Sequence, residues 1–223
     1  MLQQKSKKVL VYFLLFFVIG TMNNKNLNKI NFPKINQINI IGLDEKDNLE
    51  LLDNLNFLKI YNLFTLKKIE IHNIIDSNKL IEKYFVFKKY PSSIDIKINK
   101  TKFLAQIKKG DEIFLLGSNS KLIKTMSTSK SIPFIFGDFK HESFFELKEV
   151  IDNSDFDYDN IKNLFYFKSG RWDIEMQSGL ILKLPKKNFN NSFNLFLEII
   201  KKEPQKKINK IDLRQYNQII ING

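Results

Sequence analysis

Between residues 172 and 184 apolar and polar side chains alternate with a period of two. Trp172, Ile174 and Met176 share one face, with Asp173, Glu175 and Gln177 on the other, which is the pattern of a half-buried strand. Leu180, Leu182 and Leu184 repeat the alternation against Ile181 and Lys183. Ser178-Gly179 reads as a two-residue turn with a positive φ at Gly179, so the stretch is predicted to be a β-hairpin. Pro185 cannot donate to a ladder and ends the second strand.

Other segments follow the same two periods. Ile38 to Ile41 reads as a strand stopped by Gly42. Leu51, Leu52, Leu55 and Leu58 fall at helical spacing, predicting a helix over 45–58 with Asp44 as its cap. Ile71, Ile74 and Ile75 mark a second helix over 67–76. Residues 79–89 read as a strand, Tyr90-Pro91-Ser92-Ser93 as a turn, and Ile94, Ile96 and Ile98 as the inner face of another strand. This first unit, 35–99, has the order β-α-α-β-β. In 100–223, strands are predicted at 103–107 and 112–116, around Lys109-Gly110-Asp111, and again at 133–136 and 161–167. The closing strands fall at 207–214 and 218–221. Helices cover 141–151 and 189–202, with Phe144, Phe145, Leu147 and Val150 as the apolar face of the first and Phe193, Leu195, Phe196, Ile199 and Ile200 expected to be buried on the second. The class is α+β, and the second unit is predicted to be mostly antiparallel sheet with flanking helices.

The N-terminus follows neither period. Residues 1–8 form a basic leader with Lys5, Lys7 and Lys8, and 9–24 carry no charge. Sixteen residues at about 1.5 Å each cover roughly 24 Å, short of a ~30 Å hydrocarbon core. A cleaved signal peptide and a short transmembrane helix with snorkelling lysines both fit, and the helix is preferred because no A-x-A site follows. Either way the rest of the chain is exported, and the basic leader keeps the N-terminus in the cytoplasm. Residues 25–34, rich in Asn and Lys, read as a linker.

Composition narrows the chemistry. The 223 residues hold 43% hydrophobic residues and 21 Phe, enough for two cores. Without Cys there is no disulfide and no thiol nucleophile, and with only His72 and His141 a Ser-His-Asp triad or a multi-histidine metal site is not expected. No cofactor is implied. The net charge of +12 is spread over lysines along the whole chain and rises together with Asn, Ile and Phe, as an A/T-rich coding bias produces, so nucleic acid is not the expected ligand. Only Arg171 and Arg214 are arginine. They are either residue of that bias or the two positions that need planar, bidentate pairing. Asp173 and Glu175, two apart on one strand face, are the one pair that a glycosidase reading would use, and Lys183 across the hairpin is their natural neighbour.

The ordered set resembles one family. A short N-terminal apolar segment precedes a β-α-α-β-β unit closing on Tyr90-Pro91-x-x-Ile94-x-Ile96-x-Ile98. RWDIEMQSGLILKLP and a terminal Ile211-Asp212-Leu213-Arg214 follow. Together they resemble the FtsQ/DivIB family of bacterial cell-division proteins. The chain departs from it at Asn99-Lys100, where Glu-Arg is common, at Gln106, where Trp is common, and at Gln215, where an aromatic is common. The resemblance implies that 35–99 is a POTRA domain and 100–223 a β domain. It implies a single-pass inner-membrane protein with periplasmic domains at the septum. It implies no catalysis, and partners that are small coiled-coil membrane division proteins, FtsB with FtsL, through which septal peptidoglycan synthesis is recruited and regulated. The competing reading is another exported POTRA-containing protein of outer-membrane biogenesis, which calls for repeated units or a barrel.

The last strand should lie at a sheet edge and carries neither charge nor Pro, so it is unguarded. The family resemblance makes it a docking edge for a partner strand. Asp212, Leu213 and Arg214 match the family motif, and Gln215, Tyr216 and Asn217 correspond by position. Gln218, Ile219, Ile220 and Ile221 form the strand itself. Arg214 is expected to meet an acidic partner side chain and Tyr216 to supply an aromatic anchor. The alternative is that this strand completes the sheet and Arg214 pairs internally.

Overall fold

A computed structural model describes residues 2–22, 31–202, 208–215 and 218–222. The chain divides into two compact units, one of residues 1–74 and 85–97, the other of 75–84 and 98–223.

Helix α1 (Leu2–Met22) opens the first unit. Side chains 9–19 are exposed on every side. Its uncharged part begins only after Lys8 and spans roughly 21 Å at ~1.5 Å per residue. Among the described residues no helix is long and apolar enough to cross a membrane. Lys5, Lys7 and Lys8 precede the run expected to be a transmembrane helix over 9–24, of which this helix carries residues 9–22. Residues 23–24 of that expectation, and 25–30 of the linker, lie outside the described residues.

Strand β1 (Gln37–Ile41), helix α2 (Glu45–Leu55), helix α3 (Lys68–Ser77) and strands β2 (Ile81–Lys89) and β3 (Ser93–Lys100) follow in the expected order, with a 3-10 turn over Asn56–Ile60 after α2. The three strands form one sheet ordered β1-β3-β2, in which β1 runs parallel to β3. Leu51, Leu55, Leu58 and Leu63 are buried, as are Ile71, Ile94 and Ile96. Asp44 sits at the N-cap of α2 but makes no capping hydrogen bond through its side chain. Asn48 closes that turn instead, accepting from the Leu43 amide and donating to its carbonyl. Glu70 caps α3 by accepting from the Lys67 amide at 3.0 Å.

The second unit holds strands β4 (Phe103–Lys109), β5 (Glu112–Gly117), β6 (Leu122–Thr125) and β7 (Phe134–Phe136). Helix α4 (His141–Asp152), strands β8 (Ile161–Tyr166), β9 (Trp172–Met176) and β10 (Ile181–Lys183), helix α5 (Phe189–Lys202) and strands β11 (Lys210–Asp212) and β12 (Ile220–Asn222) complete it. Nine of these strands form one sheet, ordered β12-β11-β10-β9-β8-β7-β4-β5-β6. Most of its pairs are antiparallel, as expected, but three are parallel. β7 runs parallel to β4 and β8, and β10 runs parallel to β11. The helices explain two of these pairs. α4 joins β7 to β8 and α5 joins β10 to β11, and a helical crossover returns the chain in the same direction.

One row of paired residues crosses the sheet on its inner face: Ile107, Ile135, Leu164, Ile174, Leu182 and Ile211, ending at Ile221. All but Ile221 are buried, and Phe144, Leu147 and Ile151 of α4 and Phe193 and Phe196 of α5 share their core. The Trp172 hairpin forms as expected, but its loop has three residues. Ile181 pairs with Glu175, and Met176 donates to Leu180, leaving Gln177, Ser178 and Gly179 between. Gly179, at φ +89°, takes the left-handed position that such a loop needs. At Gly137 (φ +103°) the constraint is closer packing, since a Cβ there would lie 2.1 Å from the Tyr166 carbonyl oxygen.

Strand β6 was not anticipated, and the closing strands are shorter than the expected 207–214 and 218–221. Gln106, in the position where an apolar Trp is common, is fully buried. Its amide accepts from the Ser129 N–H and donates to the Ser129 and Ile132 carbonyls, which fixes the loop before β7. A second polar group of connections lies within this unit. Asn119 donates to the carbonyls of Lys79 and Ile81, and Ser118 donates to Glu82.

Trp172 is 3% exposed. Its ring lies against Phe139 and Tyr166, and its Nε1 donates to Ser143 Oγ at 3.1 Å. Trp172→Ala should therefore cost about 3–5 kcal/mol in chemical denaturation. A loss under about 1 kcal/mol, the size of a surface effect, would contradict this packing.

Candidate functional site

The C-terminal residues occupy one edge of the nine-stranded sheet. Among the described residues β12 has a hydrogen-bonded neighbour on one side only, β11, with Lys210 opposite Asn222, Ile211 opposite Ile221 and Asp212 opposite Ile220. The other edge is β6, which carries Lys124 paired to Glu112. Charge guards that edge, whereas β12 offers two isoleucines and an asparagine.

The residues expected to bind a partner divide into two groups. Asp212 and Leu213 are buried, and the Leu213 amide donates to the Lys183 carbonyl at 3.0 Å. They hold β11 in the sheet. Ile221 points into the core row and is half-buried. Arg214, Gln215, Gln218, Ile219 and Ile220 are exposed. Tyr216 and Asn217 lie outside the described residues. A cleft of about 540 Å³ is lined by Arg214, Gln215, Gln218 and Ile219 and, from the start of α5 and the loop before it, by Pro185, Asn191 and Leu195. A second cleft, of about 430 Å³, joins Arg171, Lys186, Arg214 and Ile220. The only two arginines of the chain thus line one cleft, which neither the alternation nor the spacing in the sequence could show.

The outer face of the sheet continues this site. Paired residues there form the row Phe136, Phe165, Asp173, Lys183, Asp212 and Ile220. Arg214 grips Asp212 in bidentate fashion, Nε to Oδ1 at 2.8 Å and Nη2 to Oδ2 at 2.5 Å. Arg214 therefore pairs internally, where an acidic partner side chain had been expected. Lys183 and Arg171 each approach Asp173 only to 3.9 Å. Arg171 Nε and Asp173 Oδ1 are buried without a hydrogen bond, and the Arg171 guanidinium lies 4.5 Å from the centre of the Phe167 ring. Glu175 is held by Lys162 and Asn163, each at 2.8 Å. The two carboxylates that a hydrolase would need are thus each engaged by residues of their own unit, Glu175 by Lys162 and Asn163 and Asp173 by Lys183 and Arg171.

Their electrostatics differ in sign. Hydrogen bonding from Arg214 holds the Asp212 carboxyl below the usual carboxylate range, against the opposing effect of burial. Burial pushes Asp173 above that range, and Lys183, Arg171 and Arg214 only partly offset it.

Residues 105–214 match the family model described as cell division protein FtsQ/DivIB, C-terminal. Cell division protein FtsQ of Rickettsia bellii (strain RML369-C) is 22% identical over 192 residues, covering 84% of this chain and 72% of its own. That of Rickettsia prowazekii (strain Madrid E) is 24% identical over 194 residues, with the same coverage. A solved structure of the major extracytoplasmic domain of DivIB from Geobacillus stearothermophilus is 14% identical, covering 48% of this chain and 98% of that one. Its TM-score of 0.35 is too low to define geometry here. The match takes in the mixed sheet from within β4 to β11 and stops short of the edge strand β12. Residues 105–214 thus carry an FtsQ/DivIB C-terminal domain, and the similarity to FtsQ extends over 84% of the chain. The matched segment ends at Arg214, so residues 215–221 lie beyond it.

The opposed shifts give a signed test. Asp212, with its folded-state pKa lowered, contributes stability above the unfolded value of about 3.9, which is lost as pH falls through the lowered one. Asp173, with its folded-state pKa raised, contributes stability at low pH that is lost as pH rises through that raised value. In thermal unfolding from about pH 3 to 7, the deficit of Asp212→Asn should grow with pH, and that of Asp173→Asn should shrink. Parallel trends in the two variants would contradict the assignment.

Proposed function

We propose that this chain is a non-enzymatic scaffold of the division machinery, held at the inner membrane by α1, whose β12 edge takes a strand from a small coiled-coil membrane partner. In this reading such partners are FtsB and FtsL, and the compact units lie in the periplasm at the septum; the FtsQ/DivIB resemblance is what supports it. Binding there contributes to recruiting and regulating septal peptidoglycan synthesis.

The observation that carries this reading is the asymmetry of the two sheet edges. A lysine of β6 is paired with Glu112, while β12 presents an open backbone edge, with Ile220 and the preceding Ile219 at 42% and 46% exposure. An added strand would satisfy the open N–H and C=O groups, and its side chains would reach the adjoining clefts. Gln215, Gln218, Ile219 and Ile220 are the contact residues in this reading, with Tyr216 and Asn217 completing the segment. Asp212 and Arg214 act behind them, since their ion pair fixes where β11 ends and the edge begins. The α1 lysines sit at the headgroups, and its short apolar run is met by local thinning of the bilayer.

Arg214→Glu would set a second carboxylate against buried Asp212 and so reports on stability as well as binding. Ile220→Lys is the cleaner variant, because Ile220 is exposed and a lysine guards an edge. It should leave the melting temperature nearly unchanged and weaken binding of the purified coiled-coil partner at least about tenfold, roughly 1.4 kcal/mol. Unchanged affinity in calorimetry, with the fold intact, would remove β12 from the interface.

A further inference from the structure

The first unit carries an aromatic cluster that neither its core nor the C-terminal edge uses. Phe32, Phe64 and Tyr90 are 47%, 57% and 60% exposed. They nevertheless touch one another, with ring centres 4.3 Å apart for Phe32 and Phe64 and 5.1 Å for Phe64 and Tyr90. Ile60 nearby in the chain is 64% exposed. Three segments build this pole. The Ile35 amide donates to the Tyr61 carbonyl, Lys34 bridges to Asn62, and the Asn36 amide donates to the Ser92 carbonyl.

The charges of these segments share one sign. Residues 31–36, 57–67 and 88–92 contain Lys34, Lys59, Lys67, Lys88 and Lys89 and no carboxylate. Lys88 is spent internally on the Leu63 and Leu66 carbonyls, and Lys89 on Asp95. Lys34, Lys59 and Lys67, in the same segments as the rings, are exposed, and a carboxylate that bonds to these segments' backbone, Glu70, is held on the Lys67 amide. The segment that leads here from α1, residues 23–31, adds Lys25 and Lys29 and again no acid.

The pole is also where the chain enters the folded part of the unit. Ten Cα steps separate Met22, the end of α1, from Phe32, and they reach at most roughly 35 Å. If α1 lies in a bilayer, Phe32 is confined to its neighbourhood. Aromatic side chains concentrate at the membrane interface, and lysines close to it are drawn to anionic headgroups. An exposed aromatic patch with lysines in the same segments has both properties.

We propose that the Phe32–Phe64–Tyr90 pole seats on the surface of the bilayer that holds α1, with its rings at the headgroup level and Lys34, Lys59 and Lys67 on anionic lipid. The inference rests on the reading of α1 as the membrane tether. It gives the first unit a fixed orientation to the membrane, where a tether alone would leave it free to turn.

The absence of Cys allows a clean test in the full chain. Single variants Phe64→Cys and Tyr90→Cys carry a nitroxide at the pole. Phe85→Cys carries it on β2, where Phe85 is 53% exposed and lies five residues before Tyr90, roughly 16 Å along an extended strand. Each protein is reconstituted in vesicles of phosphatidylcholine with a minority of phosphatidylglycerol, and the vesicles are washed with alkaline carbonate. Labels at 64 and 90 should collide with lipid-soluble oxygen more than with a water-soluble nickel chelate, and the label at 85 should show the reverse. Removing phosphatidylglycerol should weaken the difference. Protein retained through the wash with all three labels water-exposed overturns the seating and leaves the tether standing. Protein released by the wash overturns both. Labels at 64 and 90 that are water-exposed in these vesicles but protected in native membranes would show that a protein covers the pole, which also overturns the inference.

Discussion

A single cross-strand row holds the second unit in register. Ile107, Ile135, Leu164, Ile174, Leu182 and Ile211 pair in sequence across six strands, and the two helices pack over them. A slip of one residue in any strand would turn its apolar side chain to solvent and its polar neighbour inward. The charged outer row follows from the same register. Asp173, Lys183 and Asp212 meet because Ile174, Leu182 and Ile211 must meet beneath them. The edge at β12 is positioned by this row too, since Ile221 is its last member and Ile220 therefore faces outward.

Much of this was legible in the sequence, for a reason that particular residues show. Trp172, Ile174, Met176, Leu182 and Leu184 alternate cleanly and are all buried. α5 was read with its observed ends because Phe193, Phe196, Ile199 and Ile200 make one stripe. The pairing direction was not legible. Periodicity reports which face is buried and says nothing about which strand lies alongside, so the parallel pairs made by α4 and α5 were missed. β6 was missed because Leu122-Ile123-Lys124-Thr125 is too short to establish a period. The loop at 177–179 was read one residue short because Ser178-Gly179 is itself an acceptable two-residue turn.

The site was legible as a segment and not as a geometry. The unguarded terminal strand stood out by composition. Its neighbours came from far along the chain. Pro185, Asn191 and Leu195 line the cleft beside Gln218 and Ile219, and Arg171 joins Arg214 from the other end of the hairpin. Asp212 and Arg214 looked like contact residues because they belong to a family motif. The structure makes Asp212 a buried anchor and gives Arg214 to it. The motif closes β11, and the residues after it lead into the edge strand β12.

Strand addition at β12 is the central claim, and amide hydrogen exchange tests it most directly. In the free chain the amides of 218–222 should exchange fast wherever β11 does not hold them. On adding the purified coiled-coil partner, protection should appear in 218–222, with the amides of 122–125 at the opposite edge unchanged. Protection confined to any other strand, with 218–222 exchanging as before, would contradict the account.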